Sequence, residues 1–182
     1  MKVYVSGGCK NGKTAFAERL ALKIANGGRR FYVATMIPFD GEDRARVQKH
    51  LDERAGLGFE TWEQGRDIDA LTAALCPGAT YLVDSVTALL TNEMFPSLHG
   101  MEPDPAGATR CEAGLSAFAA AAENAVFVSD YIYGDGIRYD AVTEAYRRAL
   151  ARTDRKMAAL CDVVIELCAG RPVFHKGREL LE

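Results

Sequence analysis

Short apolar runs rich in valine, isoleucine, tyrosine and phenylalanine alternate along the chain with longer stretches in which apolar residues recur at helical spacing. Such a run predicts a buried strand, and a period of three to four residues predicts an amphipathic helix. The pattern predicts strands at Val3–Ser6, Phe31–Thr35, Phe59–Trp62, Tyr81–Asp84, Val126–Ser129, Val163–Leu167 and Val173–His175. It predicts helices at Lys13–Ala25, Asp43–Ala55, Ile68–Leu75, Val86–Phe95, Thr109–Ala122 and Asp140–Leu160. This alternation is typical of an α/β fold in three layers, with helices on both faces of a mostly parallel sheet.

One segment, from Pro96 to Thr109, fits neither neighbouring helix because it contains three prolines and two glycines. We expect a long surface loop there. Such a loop is either a tolerated connection or a lid or subunit contact, and the sequence leaves both open. The length of 182 residues fits one domain, which we expect to span residues 1–180.

Charge and cysteine usage narrow the class of protein. Lys and Arg number 22 against 25 Asp and Glu, for a net charge of −3, which disfavours non-specific binding to nucleic acid. The 5 cysteines are scattered and form no C-x-x-C pair, as expected for reduced thiols in a cytoplasm. Neither a secretory signal nor an apolar run long enough to span a membrane is visible, so we expect a cytoplasmic protein.

A complete G-x-x-x-x-G-K-[ST] motif follows the first predicted strand and opens the first predicted helix. Glycines let the backbone wrap around phosphates with its N–H groups pointing inward, and the helix N-terminus adds positive potential. Lys13 would reach the β- and γ-phosphates, and the Thr14 hydroxyl would bind Mg²⁺. The alternative is a glycine-rich turn that binds nothing. The predicted nucleotide-binding residues of this loop are Gly7, Gly8, Cys9, Lys10, Asn11, Gly12, Lys13 and Thr14.

A second acid near such a loop usually ends a neighbouring strand, and Asp84 ends the apolar run Tyr81–Asp84. We therefore predict that Asp84 binds the nucleotide and its Mg²⁺ together with Thr14. An aspartate at this place can instead cap the following helix.

Further motifs resemble those of the bifunctional adenosylcobinamide kinase/adenosylcobinamide-phosphate guanylyltransferase family of cobalamin biosynthesis. The likeness covers most of the chain and is stronger up to about residue 95. Beyond the phosphate loop it rests on Tyr32-Val33-Ala34-Thr35, Asp40-x-Glu42-x-x-x-Arg46-Val47-Gln48-x-His50-x-x-x-Arg54, Thr61-x-Glu63 and Asp84-x-x-Thr87-x-x-x-x-Asn92. It implies a P-loop fold, GTP or ATP and a corrinoid as substrates, Mg²⁺, and a homo-oligomeric assembly.

In this family a histidine accepts GMP from GTP, and His50 is the matching residue. The resemblance therefore implies that His50 and Lys13 are catalytic, and that Arg46, Arg54 and Glu63 help to bind the nucleotide. The spacing of Arg46, His50 and Arg54 also predicts one shared surface stripe on a helix. Without the resemblance, these side chains are more typical of a solvated charged helix.

The resemblance weakens after the fifth predicted strand. Where the family has Asn-Glu-Val-Gly-x-Gly, this chain has Ser129–Gly136 with Asp130 and Asp135, and the family pattern on the last long helix keeps one arginine. The new carboxylates bind a metal or substrate, or simply form turns. The divergence leaves two alternatives open: a P-loop kinase for another small alcohol, and a nucleotide-binding regulatory module without catalysis.

Overall fold

Seven strands form one sheet in the computed structural model, which describes residues 1–97 and 103–181, without the side chains at positions 44, 46, 49, 50 and 53. The strands are β1 (Lys2–Gly7), β2 (Arg30–Ala34), β3 (Glu60–Glu63), β4 (Thr80–Asp84), β5 (Asn124–Asp130), β6 (Val163–Cys168) and β7 (Arg171–Lys176). Their order is β3-β2-β4-β5-β1-β6-β7, and all neighbours are parallel except β6 and β7. The predicted mostly parallel α/β sheet is thus confirmed, and the last strand runs antiparallel at its edge.

The helices agree with the sequence-based prediction to within two residues at each end. They are α1 (Lys13–Ala25), α2 (Gly41–Arg54), α3 (Val86–Met94), α4 (Gly107–Ala121) and α5 (Ala141–Leu160). Local capping explains several of their starts. Asp40 accepts a hydrogen bond from the backbone of Asp43 at 2.8 Å, and Ser85 and Asp140 cap α3 and α5 in the same way.

The predicted helix at Ile68–Leu75 is wrong in type, because Ile68–Ala74 forms a 3-10 helix. The segment is short, and Ile68 is buried where Gly114 of α4 comes close. A side chain at Gly114 would lie 3.2 Å from atoms of Ile68 and Asp69. The tighter 3-10 geometry suits short connecting pieces of this kind.

Two apolar clusters fill the space between the sheet and its helices. On one face, α3, α4 and α5 cover β-strand residues that include Phe31, Tyr81 and Phe127. On the other, α1 covers a set that includes Val5, Leu82 and Ile165. The central strands are therefore buried on both faces, which explains their nearly continuous apolar sequence.

The predicted loop from Pro96 to Thr109 ends earlier than expected, since α4 already begins at Gly107. A Cβ at Gly107 would collide with the backbone carbonyl of Glu93, so glycine permits this approach of α4 to the end of α3. Positions 98–102 of the loop lie outside the described residues. Among the described helices none is long and apolar enough to cross a bilayer.

Candidate nucleotide-binding site

The loop between β1 and α1 has the backbone geometry of a phosphate-binding loop. Gly7 ends β1 at φ +154°, where a Cβ would lie 2.7 Å from the carbonyl oxygen of Leu167 on β6. Gly12 caps α1 at φ +87°, in the left-handed region that favours glycine. The Asn11 side chain donates to that same Leu167 carbonyl at 2.6 Å and so fastens the loop to β6. The glycine positions of the motif are thus where the close backbone approach requires them.

Lys13 lies in the first turn of α1 and is only 6% exposed. Its ammonium group donates to the Gly8 carbonyl at 2.7 Å and to Asn11 Oδ1 at 3.4 Å. It also forms an ion pair with Asp130 Oδ1 at 2.5 Å. The lysine is therefore held against the loop by three oxygen contacts, and its contact with a phosphate stays a prediction.

The carboxylate of Asp84 joins the phosphate loop to the centre of the sheet. Asp84 ends β4, and its Oδ2 accepts hydrogen bonds from the Thr14 hydroxyl at 2.9 Å and from the Tyr32 phenol at 2.7 Å. The cap of α3 is Ser85, so Asp84 does not serve as the helix cap that the sequence left open. The structure thus brings together two residues predicted from separate motifs.

Tyr32 and Arg54 form a second layer behind this carboxylate. Burial, and then the negative charge of Asp84, raise the pKa of Tyr32 well above its ordinary value, so the phenol remains a hydrogen-bond donor. The guanidinium of Arg54, at the end of α2, stacks on the Tyr32 ring at 3.4 Å from its centre. Arg54 is 7% exposed. It therefore does not lie on the exposed stripe that its helical spacing predicted, because its side chain covers an aromatic ring of the sheet.

The pair formed by Thr14 and Asp84 fits a magnesium ion. Hydroxyl and carboxylate oxygens are ligands that Mg²⁺ accepts, and it commonly binds one or two such groups plus waters and substrate phosphates. Within the described part of the chain, no three His, Cys, Asp or Glu side chains form a cluster able to hold a metal. Water and nucleotide oxygens would therefore complete the coordination shell.

Buried polar contacts fix the ends of the strands around this site. The Thr35 hydroxyl donates to the Ser85 carbonyl at 2.7 Å and accepts from the Ser85 amide at 2.6 Å, next to a cis Asp84–Ser85 peptide bond. The Asn92 amide donates to the carbonyls of Thr35 at 2.7 Å and Gly65 at 2.8 Å. These contacts join α3 to the segments that follow β2 and β3.

After β5, the chain forms a loop that Arg147 of α5 holds in place. Arg147 is 7% exposed, and its guanidinium binds Asp135 at 2.8 Å, Glu144 at 2.7 Å and the Ile137 carbonyl at 2.9 Å. The Tyr139 phenol also donates to Asp135, at 2.7 Å. Asp135 therefore organises the loop itself, whereas Asp130 contacts the phosphate-loop lysine.

Asp154 of α5 forms a buried polar cluster beneath the end of β5. Its carboxylate accepts hydrogen bonds from the Ser129 hydroxyl at 2.9 Å and from the Tyr133 phenol at 3.0 Å. Asp154 is 4% exposed, and this burial raises the pKa of its carboxyl group. The cluster fixes the strand end from which Asp130 reaches Lys13.

Comparison with known proteins shows the family of this chain. The CobU family model, described as "Cobinamide kinase / cobinamide phosphate guanyltransferase", matches residues 3–174. The chain belongs to this family. The matched range includes the phosphate loop, Asp84, α2 and the diverged segment after β5.

Two curated relatives of the CobU family align with part of the chain. The "Bifunctional adenosylcobalamin biosynthesis protein CobU" of Salmonella typhimurium is 37% identical over 106 residues, which are 58% of this chain and 55% of that protein. The protein of the same name from Escherichia coli is 32% identical over 106 residues, with the same coverage. The chain thus spans little more than half the length of the curated relatives it matches.

A solved structure of an ATPase domain supports the fold. The structural alignment covers 98% of this chain and 77% of the ATPase domain, with a TM-score of 0.55 and 11% sequence identity. At this identity the likeness shows the fold alone. It confirms the P-loop type of α/β fold that the sequence predicts.

The remaining residues predicted for the CobU-family site are spread along the same edge of the sheet. Glu63 ends β3 and pairs in register with Ala34 of β2, which in turn pairs with Asp84. It is exposed and lies two strands away from Asp84, or about 10 Å at ordinary strand spacing. Cys9 and Lys10 are exposed in the loop. The side chains of Arg46 and His50, on α2, lie outside the described residues, and their roles stay predictions.

Sequence reasoning did not single out three residues whose side chains form hydrogen bonds in or next to the site. They are Tyr32, Asn92 and Asp154. Tyr32 and Asn92 stand inside the quoted motifs, but their partners come from other elements. The available signal was a tyrosine within the buried run of β2, since a buried phenol usually has a hydrogen-bond partner. Asp154 has a similar signal, as a carboxylate on the buried side of an amphipathic helix.

Proposed function

We propose that this chain is a P-loop transferase that performs both reactions of its family. In one reaction, the γ-phosphoryl group of a nucleoside triphosphate is transferred to the hydroxyl of adenosylcobinamide. In the other, GMP is transferred from GTP to adenosylcobinamide phosphate. The observation that carries the proposal is the contact of Thr14 with Asp84 beside Lys13, at the end of a strand and the start of a helix.

The phosphate loop serves phosphoryl transfer by position and charge. The Lys13 ammonium would contact the β- and γ-phosphates, while amides of the loop and the N-terminus of α1 face the same charge. Thr14 and Asp84 would hold Mg²⁺, which neutralises charge on the phosphate oxygens when bound. The acceptor oxygen forms a bond to the γ-phosphorus as the bond from that phosphorus to the β-phosphate breaks.

The GMP transfer is proposed to use His50 as the nucleophile. A nitrogen of a neutral imidazole attacks the α-phosphorus of GTP, and pyrophosphate leaves. The phosphate of the acceptor then attacks the same phosphorus, and the bond between nitrogen and phosphorus breaks. The support for this step is the match of residues 3–174 to the family and the place of His50 on α2, whose last residue, Arg54, contacts Tyr32.

The test of this proposal is to trap the covalent intermediate. The full chain is incubated with Mg²⁺ and GTP labelled at the α-phosphorus, then denatured and assayed for bound label. We expect an acid-labile, hydroxylamine-resistant adduct that is absent from His50→Ala and present in the control His175→Ala. His175 pairs with Glu166 and lies on the edge strand β7, two strands from β1, which leads into the phosphate loop.

A second candidate function is a P-loop kinase for another small alcohol, and the altered segment Ser129–Gly136 favours it. That enzyme would bind nucleotide and transfer its γ-phosphoryl group, but it would carry no label on His50. Tight GTP binding by calorimetry without an adduct would therefore refute the guanylyltransferase half of the proposal. A cytoplasmic location belongs to the proposal as well, and the five free cysteines support it.

A further inference from the structure

The carboxylate of Asp130 lies against the lysine of the phosphate loop. Asp130 is the last residue of β5 and pairs in register with Gly7 of the neighbouring β1. Its Oδ1 is 2.5 Å from the ammonium nitrogen of Lys13, and 31% of its side chain is exposed. A partly exposed negative group therefore contacts the nearly buried ammonium of Lys13.

An ammonium group has three N–H donors, and Lys13 uses them on three oxygen atoms. These oxygens belong to Gly8, Asn11 and Asp130, at 2.7, 3.4 and 2.5 Å. A polyphosphate that contacts Lys13 must replace one of them. Because Asp130 carries the same sign of charge as phosphate, it is the partner that the phosphate displaces.

The backbone of Asp130 is fixed, so its carboxylate cannot move far from the phosphate end. Its amide donates to the Thr87 hydroxyl at 2.8 Å, and the next amide, of Tyr131, donates to the Gly7 carbonyl at 3.3 Å. Ser129, on the other side, is held by Asp154. When the Lys13 ammonium binds a phosphate, the Asp130 carboxylate can move away only by rotation of the Asp130 side chain.

Other carboxylates at this edge of the sheet have different partners. Asp84 accepts two hydroxyl hydrogen bonds and fits the metal, and Asp135 pairs with Arg147. Glu63 lies on the edge strand β3. Among these carboxylates, Asp130 is the one that contacts Lys13, which the motif assigns to the β- and γ-phosphates. An acceptor hydroxyl has to lie next to the γ-phosphate for in-line transfer.

We propose that Asp130 is the catalytic base of the phosphoryl-transfer reaction. It pairs with Lys13 before nucleotide binds, and it turns to the acceptor hydroxyl when a triphosphate takes over Lys13. As the alcohol oxygen bonds to the γ-phosphorus, its proton passes to a carboxylate oxygen of Asp130. The electrons of the breaking bond remain on the β-phosphate of the departing nucleoside diphosphate. This inference rests on the kinase half of the proposed function.

The proposal predicts opposite effects of one substitution on binding and on turnover. In Asp130→Asn, a negative charge next to the phosphates is lost and Lys13 loses its competing ion-pair partner. We expect the full chain to bind Mg²⁺–triphosphate about tenfold more tightly in calorimetry. We expect kcat for phosphorylation of adenosylcobinamide to fall by roughly 10²- to 10⁴-fold, the usual contribution of a general base.

A matched control and a conservative variant accompany this experiment. Glu123→Gln makes the same charge change at an exposed position just before β5, about 20 Å away at the opposite end of that strand. It should leave both affinity and kcat unchanged. Asp130→Glu keeps a carboxylate and should recover part of the lost turnover, which a merely structural role of Asp130 would not predict.

The outcomes separate the two levels of the proposal. Turnover in Asp130→Asn equal to that of the wild-type chain would overturn the role of Asp130 and leave the proposed function intact. Weaker triphosphate binding by a folded Asp130→Asn chain would also overturn it, because the carboxylate would then be supporting the nucleotide site. Failure of the wild-type chain to phosphorylate adenosylcobinamide would instead refute the kinase half of the proposed function.

Discussion

Replacing Tyr32 by phenylalanine removes one oxygen atom from the centre of the candidate site. The ring is 4% exposed and packs under Arg54 and at 6.3 Å from the ring of Phe59, and these contacts should survive. What disappears is the hydrogen bond of 2.7 Å from the phenol to the Asp84 carboxylate. The substitution is therefore a clean test of how that carboxylate is held.

The expected cost follows from the burial and charge of this contact. A hydrogen bond to a charged group contributes about 1.5–3 kcal/mol to stability. Thr14 continues to donate to the same oxygen of Asp84, so the carboxylate is not left without a donor. We expect Tyr32→Phe to lower the free energy of unfolding by about 1.5–3 kcal/mol in urea titrations. We also expect weaker binding of triphosphate in the presence of Mg²⁺ but little change in its absence.

The pH dependence of this effect has a definite sign. The pKa of Tyr32 is raised well above its ordinary value, so the phenol contributes stability at every pH below its unfolded pKa of about 10. The contribution disappears only as the pH rises through the still higher pKa of the folded state. The difference between wild type and Tyr32→Phe should therefore be constant from about pH 6 to 9.

A double-mutant cycle with Asp84→Asn isolates the pair, and Tyr139→Phe supplies a matched control. Tyr139 also donates to a carboxylate at 2.7 Å, that of Asp135, but its side chain is 42% exposed. Its loss should cost much less, because solvent replaces the partner. A coupling energy near zero between Tyr32 and Asp84, or equal costs for the two tyrosines, would refute the view that Tyr32 orients Asp84.

Two further predictions concern the loop and the buried cluster beneath β5. Gly7→Ala should lower the free energy of unfolding by about 1–3 kcal/mol and abolish nucleotide binding, because a Cβ at this position would lie 2.7 Å from the Leu167 carbonyl oxygen. The control Gly8→Ala has open space around its Cβ and should fold normally in thermal melts. Burial raises the pKa of the Asp154 carboxyl group, so the folded chain binds a proton at this group more tightly than the unfolded chain does. The folded chain therefore loses stability as the pH rises above about 4, the ordinary pKa of an aspartate. The unfolding free energy of wild type relative to Asp154→Asn should therefore decrease as the pH rises above about 4. A difference that rises or stays flat in denaturant titrations would contradict this assignment.

Local sequence patterns were enough to predict the strands, the α-helices and the phosphate loop. An apolar run or a helical period is written within a few residues, and the spacing of Gly7, Gly12 and Lys13 encodes the loop directly. The sequence therefore predicted the mostly parallel sheet and all five α-helices of the described chain. The error at Ile68–Ala74 arose because the choice between α and 3-10 geometry depends on how closely α4 packs on that segment.

Contacts between distant residues were beyond this reasoning. The register of β2 against β4 places Tyr32 beside Leu82 and brings its phenol to Asp84, 52 residues along the chain. Helical periodicity placed Arg54 on one face of α2 but did not reveal that this face covers an aromatic ring. In the same way, the sequence placed Asp130 directly after the predicted strand Val126–Ser129, whereas the contact of Asp130 with Lys13 depends on the order of β5 and β1 in the sheet.

These contacts give a physical reason why two separate motifs can act as one site. Arg54 ends the helix that carries His50, it stacks on Tyr32, and Tyr32 shares one carboxylate oxygen of Asp84 with Thr14 of the phosphate loop. The end of α2 is thus linked through side chains to the residues that would hold the metal. A change that weakens either contact of Tyr32 should therefore affect both phosphate binding at the loop and labelling at His50. If Arg54→Ala lowered the yield of the labelled adduct without altering triphosphate affinity, the proposed coupling between α2 and Asp84 would be refuted.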